Sequence, residues 1–334
     1  MNAFEWANAK SVADAVRLLG ETAVDKTALN DLPHPMGGGQ DLLTTMKAYI
    51  VRPPRVVNLK TIPDANRIAA DEASGVVLGA LATLTDVEAN PAVAKLVPGL
   101  IDAIHSVATP QIRNVGTIGG NLCQRPRCWY FRHENLKCLK RGGDTCYAKD
   151  GENKYHAIYG TDAPCVITHP SDLAPMLVAV SAVISATGAK GSREIGAGEF
   201  FRMPTADDPR RENVLAGEIV TEIRIPATPL AARSTYLKFK ERLSLDFAMA
   251  SVATAVELAA DGTVRAARVV LGGLAPVPWA LPEVDAFLIG KRLDEATVLK
   301  AGELAIADAK PLSQNAYKLQ LTKTLVRRAL MKLA

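Results

Sequence analysis

Hydrophobic and polar positions along this chain follow short stretches of helical and strand periodicity. Apolar residues three and four positions apart predict an amphipathic helix over residues 11–21, with Ser11 as its N-cap. Short apolar runs predict strands at residues 55–59 and 76–80, and a further helix is expected at residues 100–107. The first part of the chain is therefore expected to mix short helices with short strands.

The same mixture continues into the middle of the chain. Thr85 is expected to cap a helical turn over residues 86–90. Residues 165–168 have the composition of a strand, and Ser171 is expected to cap a helix that ends at residue 180. Beyond them, the polar and proline-containing residues 202–217 indicate a surface loop near a domain boundary.

The last third of the chain has the pattern of an antiparallel sheet followed by helices. Separate strands are predicted before it, over residues 183–186 and 219–225, and the antiparallel sheet is predicted over residues 236–240, 249–258 and 264–271. Asp261-Gly262 is expected to form the hairpin turn between the last two strands. Helices are predicted over residues 294–309 and 315–333.

Composition narrows the class of protein. A chain of 334 residues favours two domains, and 48% hydrophobic with 22% charged residues is ordinary for a globular protein. The net charge of +4 calls for no nucleic acid partner. The sequence has neither a membrane-spanning run nor an N-terminal signal peptide, so a cytoplasmic protein is expected. A periplasmic location stays open if a partner subunit carries the export signal.

Two glycine-rich segments are suited to binding an anion. Gly37-Gly38-Gly39 precedes a stretch of helical character at residues 42–49, and Thr117-Ile118-Gly119-Gly120 lies far away in the sequence. Both present backbone N–H groups without Cβ obstruction, so together they could neutralise one diphosphate. Neither matches the Rossmann or Walker fingerprint. We therefore expect a nucleotide cofactor outside the ordinary NAD and ATP domains.

All five cysteines lie within one segment, which directly follows the second glycine loop. They are Cys123, Cys128, Cys138, Cys146 and Cys165. No C-x-x-C pair occurs, which argues against a zinc ribbon or a bacterial ferredoxin repeat. Four thiolates suit an iron–sulfur cluster, while zinc and a set of buried cysteines without metal are the alternatives. The pattern leaves open whether Cys123 or Cys128 is the spare fifth residue.

Few other side chains are candidates for chemistry. Asp172, at a predicted helix start, could accept a hydrogen bond from a cofactor ring or sugar, and simple helix capping is the alternative. His133 and His156 lie in the cysteine segment, where we interpret them as surface residues in preference to metal ligands.

Four motifs carry a resemblance to a known family. They are GGGQDLL at residues 37–43, TPQIRNVGTIGGN at residues 109–121, PSD at residues 170–172 and Lys238-x3-Arg242-x3-Asp246. In these motifs the chain resembles the FAD-binding, or medium, subunit of the molybdenum hydroxylases, the xanthine dehydrogenase family. The resemblance covers nearly the whole chain. One departure is Gly37-Gly38-Gly39-Gln40, where the family usually has Ala-Gly-Gly-Thr.

The resemblance implies an α+β fold. A two-part FAD-binding domain of the PCMH type would span residues 1–226, and a smaller domain of antiparallel sheet plus helices would span residues 227–334. The cysteines form an insertion at about residues 122–166. Such an insertion is similar to that of the 4-hydroxybenzoyl-CoA reductase beta subunit and of periplasmic aldehyde oxidoreductase FAD subunits, which carry a 4Fe-4S cluster.

The resemblance also implies the site residues. Those expected to bind FAD are Pro35, Met36, Gly37, Gly38, Gly39, Gln40, Asp41, Gly116, Thr117, Gly119, Gly120, Asn121, Ser171, Asp172, Val220 and Lys238. The cluster ligands are expected to be Cys123, Cys138, Cys146 and Cys165, with Cys128 as the alternate to Cys123.

The implied function is electron transfer inside a larger oxidoreductase. In this family a molybdenum-cofactor large subunit oxidises the substrate, and a 2Fe-2S small subunit passes electrons to FAD, so a heterotrimer and an external electron carrier are expected. The substrate class would be an aldehyde or an aromatic thioester. A stand-alone flavoprotein oxidase and a zinc-stabilised nucleotide-binding scaffold are the competing hypotheses.

Overall fold

The structure is a computed structural model that describes residues 1–20, 31–242 and 245–334. Its strands are β1 (Glu5–Asn8), β2 (His34–Met36), β3 (Arg55–Asn58), β4 (Ile68–Asp71), β5 (Gly75–Gly79), β6 (Val183–Gly188), β7 (Gly191–Gly196), β8 (Ile219–Ile225), β9 (Ser234–Phe239), β10 (Ala250–Leu258), β11 (Val264–Gly272) and β12 (Trp279–Ala280).

Most of the helices are short. They are α1 (Val12–Leu19), α2 (Leu42–Lys47), α3 (Leu84–Glu88), α4 (Pro91–Leu96), α5 (Pro98–Ser106), α6 (Pro110–Arg113), α7 (Ile118–Leu122), α8 (Trp129–Arg132), α9 (Leu173–Ala179), α10 (Ala197–Phe200), α11 (Pro229–Ala232), α12 (Pro282–Leu288), α13 (Glu295–Leu304) and α14 (Tyr317–Lys332). A single 3-10 turn, Leu139–Arg141, lies in the cysteine segment of the described chain.

The N-terminal sheet is parallel, with the strand order β1-β3-β2. Helix α1 packs on it through Ala15 and Leu19, and Ser11 caps the helix by accepting the N–H of Asp14 at 3.1 Å. The predicted start of this helix is therefore found, whereas its predicted end at residue 21 lies outside the described residues. Because β2 ends at Met36, the first glycine loop follows the carboxyl end of a parallel strand.

A five-stranded antiparallel sheet has the order β4-β5-β8-β6-β7. Its buried residues include Leu78 of β5 and Ile223 of β8, which lie in one apolar core with Leu100 of α5 and Leu177 of α9. These helices bury their apolar faces on the sheet, and this burial is the main source of stabilisation expected for the layer. Helix α7 and the second glycine loop lie beside this core, with Ile118 buried in it.

The C-terminal sheet is also antiparallel, in the order β12-β11-β10-β9, and it packs with α12, α13 and α14 around a second core. Ile158 and Tyr159, from the chain that follows the cysteine residues 123–146, belong to this core. The Tyr159 ring stacks on Trp279 with centroids 5.4 Å apart. The end of the cysteine segment is thus packed into the C-terminal core, whereas Phe131 and Cys138 pack with Ile50. The predicted α+β architecture is confirmed.

Two local predictions are wrong. Thr83 caps helix α3 by accepting the N–H of Asp86 at 3.1 Å, so the cap lies two residues before the predicted Thr85. Residues 165–168 form no strand. The backbone N–H groups of Val166 and Ile167 are directed instead at cysteine sulfurs, as described below. Within the described residues, none of the helices is long and apolar enough to cross a membrane.

Candidate functional site

The two glycine loops predicted from the sequence lie against each other. A Cβ on Gly38 would lie 1.9 Å from the carbonyl oxygen of Val115, and a Cβ on Gly37 would lie 2.7 Å from Thr117 Oγ1. Gly39 has a φ of +72°, a left-handed conformation that glycine adopts without strain. The close approach of the loops therefore depends on glycine in the first of them.

A cavity of about 440 Å³ opens beside the two loops, a size typical of small-molecule sites. Within the described part of the chain, the N–H groups of Gly38, Gly39 and Gln40 have no hydrogen-bond acceptor. Thr117 caps α7 by accepting the N–H of Gly120 at 3.2 Å. Backbone donors without partners at a cavity wall suit an anionic ligand such as a diphosphate.

Most of the residues predicted to bind the cofactor line this cavity. They are Pro35, Met36, Gly37, Gly38, Gly39, Gln40, Asp41, Gly116, Thr117, Gly120, Asn121, Asp172 and Lys238.

Three predicted residues lie outside the lining. A Cβ on Gly119 would meet the Cβ of Ala80 at 2.9 Å, because Gly119 packs into the sheet behind the cavity. Ser171 is buried and donates a hydrogen bond to Asn121 Oδ1 at 2.5 Å. Val220 lines a separate cavity of about 380 Å³. Gly119 and Ser171 therefore support the wall of the first cavity without lining it.

A buried ion pair lies at one side of the cavity. Lys238 Nζ is 2.7 Å from Asp172 Oδ2 and donates to the carbonyl oxygen of Ser106 at 3.0 Å. The hydroxyl of Tyr236 donates to Asp172 Oδ1 at 2.7 Å. Burial, helped by the adjacent carboxylate, raises the pKa of Tyr236 well above its usual value, so this hydroxyl keeps its proton. The network holds an ammonium and a carboxylate ready to orient polar atoms of a ligand.

The structure adds lining residues that sequence reasoning missed. The Arg127 guanidinium lies 4.7 Å over the Phe247 ring and 3.0 Å from Asp41. Burial lowers the pKa of Arg127 to about 10, although Asp41 opposes this shift. The remaining lining residues are His34, Leu42, Thr44, Leu84, Val107, Ala108, Ile112, Cys123, Gln124, Pro170, Leu245 and Asp246. They come from distant segments. Some lie within the motifs that carry the family resemblance or among the cysteines, namely Leu42, Ile112, Cys123, Pro170 and Asp246, and no local pattern identifies the others.

Asp41 joins the first glycine loop to the segment that leads into the cysteines. Its Oδ1 accepts from Arg132 Nη2 at 2.8 Å and lies 3.0 Å from Arg127 Nη2. Its Oδ2 accepts the backbone N–H of Arg125 at 2.6 Å. The residues on both sides of Cys128 are thereby held against the cavity wall.

Four of the five cysteines line a second, small cavity of about 10 Å³. These are Cys128, Cys138, Cys146 and Cys165, with Phe131 and Ile167 among the apolar wall residues. Cys123 is not among them, because it lines the first cavity. In the described residues, no three side chains of His, Cys, Asp or Glu are placed to hold one metal ion. The geometry groups Cys128, the alternate in the sequence prediction, with the other three.

Backbone N–H groups are directed at each of these four sulfurs. Burial raises the pKa of Cys128 to about 11, and the N–H groups of Tyr130 and Phe131 oppose this shift. Burial also raises the pKa of Cys138, again opposed by two N–H groups. Cys123 differs, since burial and the Glu212 carboxylate raise its pKa to about 12.

Cys146 and Cys165 lie close enough to share a proton. A hydrogen bond from the Cys165 thiol lowers the pKa of Cys146 to about 6, and hydrogen bonds from the N–H groups of Val166 and Ala148 lower it further. The same contact with Cys146 raises the pKa of Cys165, which the N–H of Ile167 opposes. Oriented N–H donors favour the thiolate form, which is the form that binds metal.

His156 is buried, so its sequence interpretation as a surface residue is wrong. Its Nε2 lies 3.2 Å from Cys128 Sγ, and its ring packs edge-on to Trp129 at 5.5 Å. Burial lowers the pKa of His156 to about 4, so the ring is neutral. His133 is exposed, as expected.

Comparisons with known proteins agree with this geometry. Residues 2–228 match the family described as FAD binding domain in molybdopterin dehydrogenase, and residues 234–333 match the CO dehydrogenase flavoprotein C-terminal domain. The chain is 32% identical over 290 residues to the aldehyde oxidoreductase FAD-binding subunit PaoB of Escherichia coli (strain K12), covering 86% of this chain and 87% of that protein.

Two further comparisons extend over almost the whole chain. The carbon monoxide dehydrogenase medium chain of Afipia carboxidovorans is 28% identical over 332 residues, covering 98% of this chain and 95% of that one. The structure of reconstituted CO dehydrogenase from Oligotropha carboxidovorans is similar with a TM-score of 0.74 at 25% identity, covering 99% of this chain and 98% of that chain.

Proposed function

The chain belongs to the FAD-binding subunits of the molybdopterin dehydrogenases, and from this premise we propose that it carries FAD in the first cavity and a 4Fe-4S cluster among its cysteines. It is an oxidoreductase subunit of a molybdenum hydroxylase complex. The observation that carries the cluster proposal is the convergence of Cys128, Cys138, Cys146 and Cys165, each with N–H groups directed at its sulfur.

The glycine loops would hold the FAD diphosphate. The N–H groups of Gly38, Gly39 and Gln40 line the cavity without acceptors in the described chain, so they supply donors to phosphate oxygens. Asp172 and Lys238 would orient the flavin ring or its ribityl chain. Bound FAD accepts two electrons together and releases them singly, which suits a junction with one-electron centres.

The four converging cysteines supply the thiolate donors that an iron–sulfur cluster needs, and zinc, which takes the same donors, is the alternative that metal analysis separates. A 4Fe-4S cluster takes four thiolates and supplies one-electron transfer. The apolar walls from Phe131 and Ile167 would keep water away from the sulfurs. We assign Cys128 as the fourth ligand and leave Cys123 at the FAD cavity.

We further propose the assembly and the division of the chain. A molybdenum-cofactor large subunit and a 2Fe-2S small subunit would deliver electrons to this chain, and an external carrier would receive them. The similarity to an aldehyde oxidoreductase subunit favours an aldehyde as the substrate of the complex. We place the boundary between the two domains after residue 226, in the segment between β8 and α11.

A pair of cysteine variants tests the cluster proposal. Cys128→Ser removes one of the four converging sulfurs and is expected to abolish most of the bound iron, measured as iron and acid-labile sulfide per chain. Cys123→Ser is the matched control and is expected to keep the iron, since its sulfur lies in the other cavity. Flavin absorbance should persist in both. Zinc without iron in the wild-type protein, or loss of iron only in Cys123→Ser, would contradict the assignment.

A further inference from the structure

A buried lysine lies against the cysteine cavity. Lys140 belongs to the 3-10 turn Leu139–Arg141, is 2% exposed and lines the cavity with the four cysteines. Its Nζ is 3.0 Å from Glu212 Oε1 and donates to the carbonyl oxygen of Arg210 at 3.3 Å. Burying an ammonium is costly unless it is paired, so this placement calls for a physical reason.

The partner carboxylate is brought from a distant segment. Glu212 is 8% exposed, and its Oε2 lies 3.1 Å from Arg125 Nε. Burial acts to raise the pKa of Glu212, but the charges of Arg125 and Lys140 outweigh it and hold the pKa below its usual value. The carboxyl is therefore ionised, and the pair is a buried ion pair with a charge at each end.

The two ends of the pair lie toward different sites. Lys140 lines the cysteine cavity together with the four cysteines. Glu212 is also paired with Arg125, whose backbone N–H donates to Asp41 at the wall of the first cavity. The positive end of the pair thus lies beside the proposed cluster, and its negative end lies on the side of the flavin site.

We infer that Lys140 sets the reduction potential of the cluster, an inference that rests on the proposed function. Its ammonium stabilises the extra negative charge that the cluster carries after reduction, and so it raises the cluster potential. Glu212 offsets part of this charge, and the carbonyl oxygen of Arg210 also holds the ammonium in place. An electron passing from bound reduced flavin to the cluster would form and break no covalent bond to this chain. The ion pair thereby favours electron flow from flavin to cluster.

A redox titration of the purified holoprotein, monitored by electron paramagnetic resonance of the reduced cluster, tests this inference. Lys140→Met keeps the length of the side chain and removes its charge. We expect the ratio of reduced to oxidised cluster at a fixed potential to fall at least tenfold, which for one electron is a midpoint shift of 59 mV. Lys140→Arg keeps the charge and should keep most of the wild-type midpoint.

Two further variants make the result specific. Lys137→Met removes an exposed lysine beside Cys138 and should leave the midpoint unchanged. Glu212→Gln removes the offsetting carboxylate and should raise the midpoint, which gives a second reading if Lys140→Met does not fold. Equal midpoints in wild type and Lys140→Met, or an unchanged or lower midpoint in Glu212→Gln, would overturn the inference about Lys140 and leave the proposed cluster in place. A wild-type protein without iron or signal would overturn the proposed cluster itself, and this inference with it.

Discussion

Gly38 and Gly119 lie in loops of similar composition but meet different neighbours. Gly38 faces the other loop, where the carbonyl of Val115 leaves no room for a Cβ. Gly119 faces Ala80 of the sheet layer, and the adjacent Gly120 lines the cavity. Both glycines are needed for close packing, but only the first brings the cofactor loops together. Local sequence cannot separate these roles, because they depend on which distant segment lies opposite each Cα.

Gly38→Ala is expected to destabilise the cavity. Its Cβ would lie 1.9 Å from Val115 O, so the two loops must separate at a cost of about 1–3 kcal/mol. Flavin retained per chain after purification should fall sharply, as measured by visible absorbance. Gly198→Ala is the matched control, because a Cβ there meets no atom within 4 Å. Equal flavin content in the two variants would contradict the role given to Gly38.

His169 is a buried residue whose charge state matters to the fold. Its Nδ1 accepts the N–H of Ser171 at 3.3 Å, and its ring packs edge-on to Phe201 at 4.7 Å. Burial lowers its pKa from 6.5 to about 4, so the native state holds the ring neutral.

The stability of the protein should therefore fall in mild acid. Between pH 6.5 and pH 4 the unfolded chain binds a proton at His169 that the native state does not bind. The contribution of the neutral ring to the free energy of unfolding is therefore fully present above pH 6.5 and decreases as the pH falls toward 4. The loss is at most about 1.4 kcal/mol per pH unit. Urea unfolding at several pH values should show that the free energy of unfolding changes less steeply with pH in His169→Asn. The asparagine side-chain oxygen can still accept the N–H of Ser171. His105→Asn, at an exposed histidine, should keep the wild-type slope.

At the scale of elements, Asp41 ties the loop before α2 to the segment around α8. Three arginines approach its carboxylate: Arg127 and Arg132 through their guanidinium groups and Arg125 through its backbone N–H. The first cavity, beside the glycine loops, and the cysteine cavity therefore share one anchoring contact. A substitution of Asp41 should therefore alter the structure of both cavities.

Asp41→Asn is expected to loosen both sites together. It leaves the partly buried Arg127 and Arg132 without their counter-charge, which should cost about 1–3 kcal/mol of stability. Flavin and iron content should both decrease, and the urea midpoint should fall. Asp14→Asn is the control, because its partner Arg17 has a side chain 72% exposed and such pairs contribute little. Loss of flavin with full retention of iron would contradict the shared anchor.

At the scale of the whole molecule, Lys318 joins the last helix to the cysteine segment. It is fully buried, and its Nζ donates to the carbonyl oxygens of Tyr155, His156 and Gly273 at 3.1, 3.0 and 2.9 Å. No carboxylate is among these partners, and burial lowers the pKa of Lys318 from 10.5 to about 7.

Stability should consequently rise with pH on the alkaline side. Between pH 7 and pH 10.5 the unfolded chain binds a proton at Lys318 that the native state has released, so raising the pH through this window favours folding. The slope is at most about 1.4 kcal/mol per pH unit. It should disappear in Lys318→Met and persist in Lys300→Met, a lysine with a 57% exposed side chain. Urea unfolding between pH 7 and pH 9 measures this change of the free energy of unfolding with pH. The same change in Lys318→Met would contradict the role given to Lys318.

Elements with strong local signals were predictable. Strand β8 has the predicted limits, and β9, β10 and β11 form the expected antiparallel sheet. The parallel strands β1 and β2 were missed, because they are short and their partner β3 lies far along the chain. Residues 165–168 were mistaken for a strand, since their apolar side chains conceal that their N–H groups face sulfurs.

Some properties of this protein follow from the sequence by itself. The four motifs were enough for the resemblance to the family, because the residues of each motif lie close together in the sequence, and the resemblance implied the α+β class and the FAD cofactor. Only the tertiary structure decided that Cys128 joins the other three cysteines while Cys123 lines the cavity beside the glycine loops, and that Lys140 meets Glu212. The reason is geometric: the direction in which a side chain points after a turn, and the distant segment it then meets, depend on the packing of the whole chain.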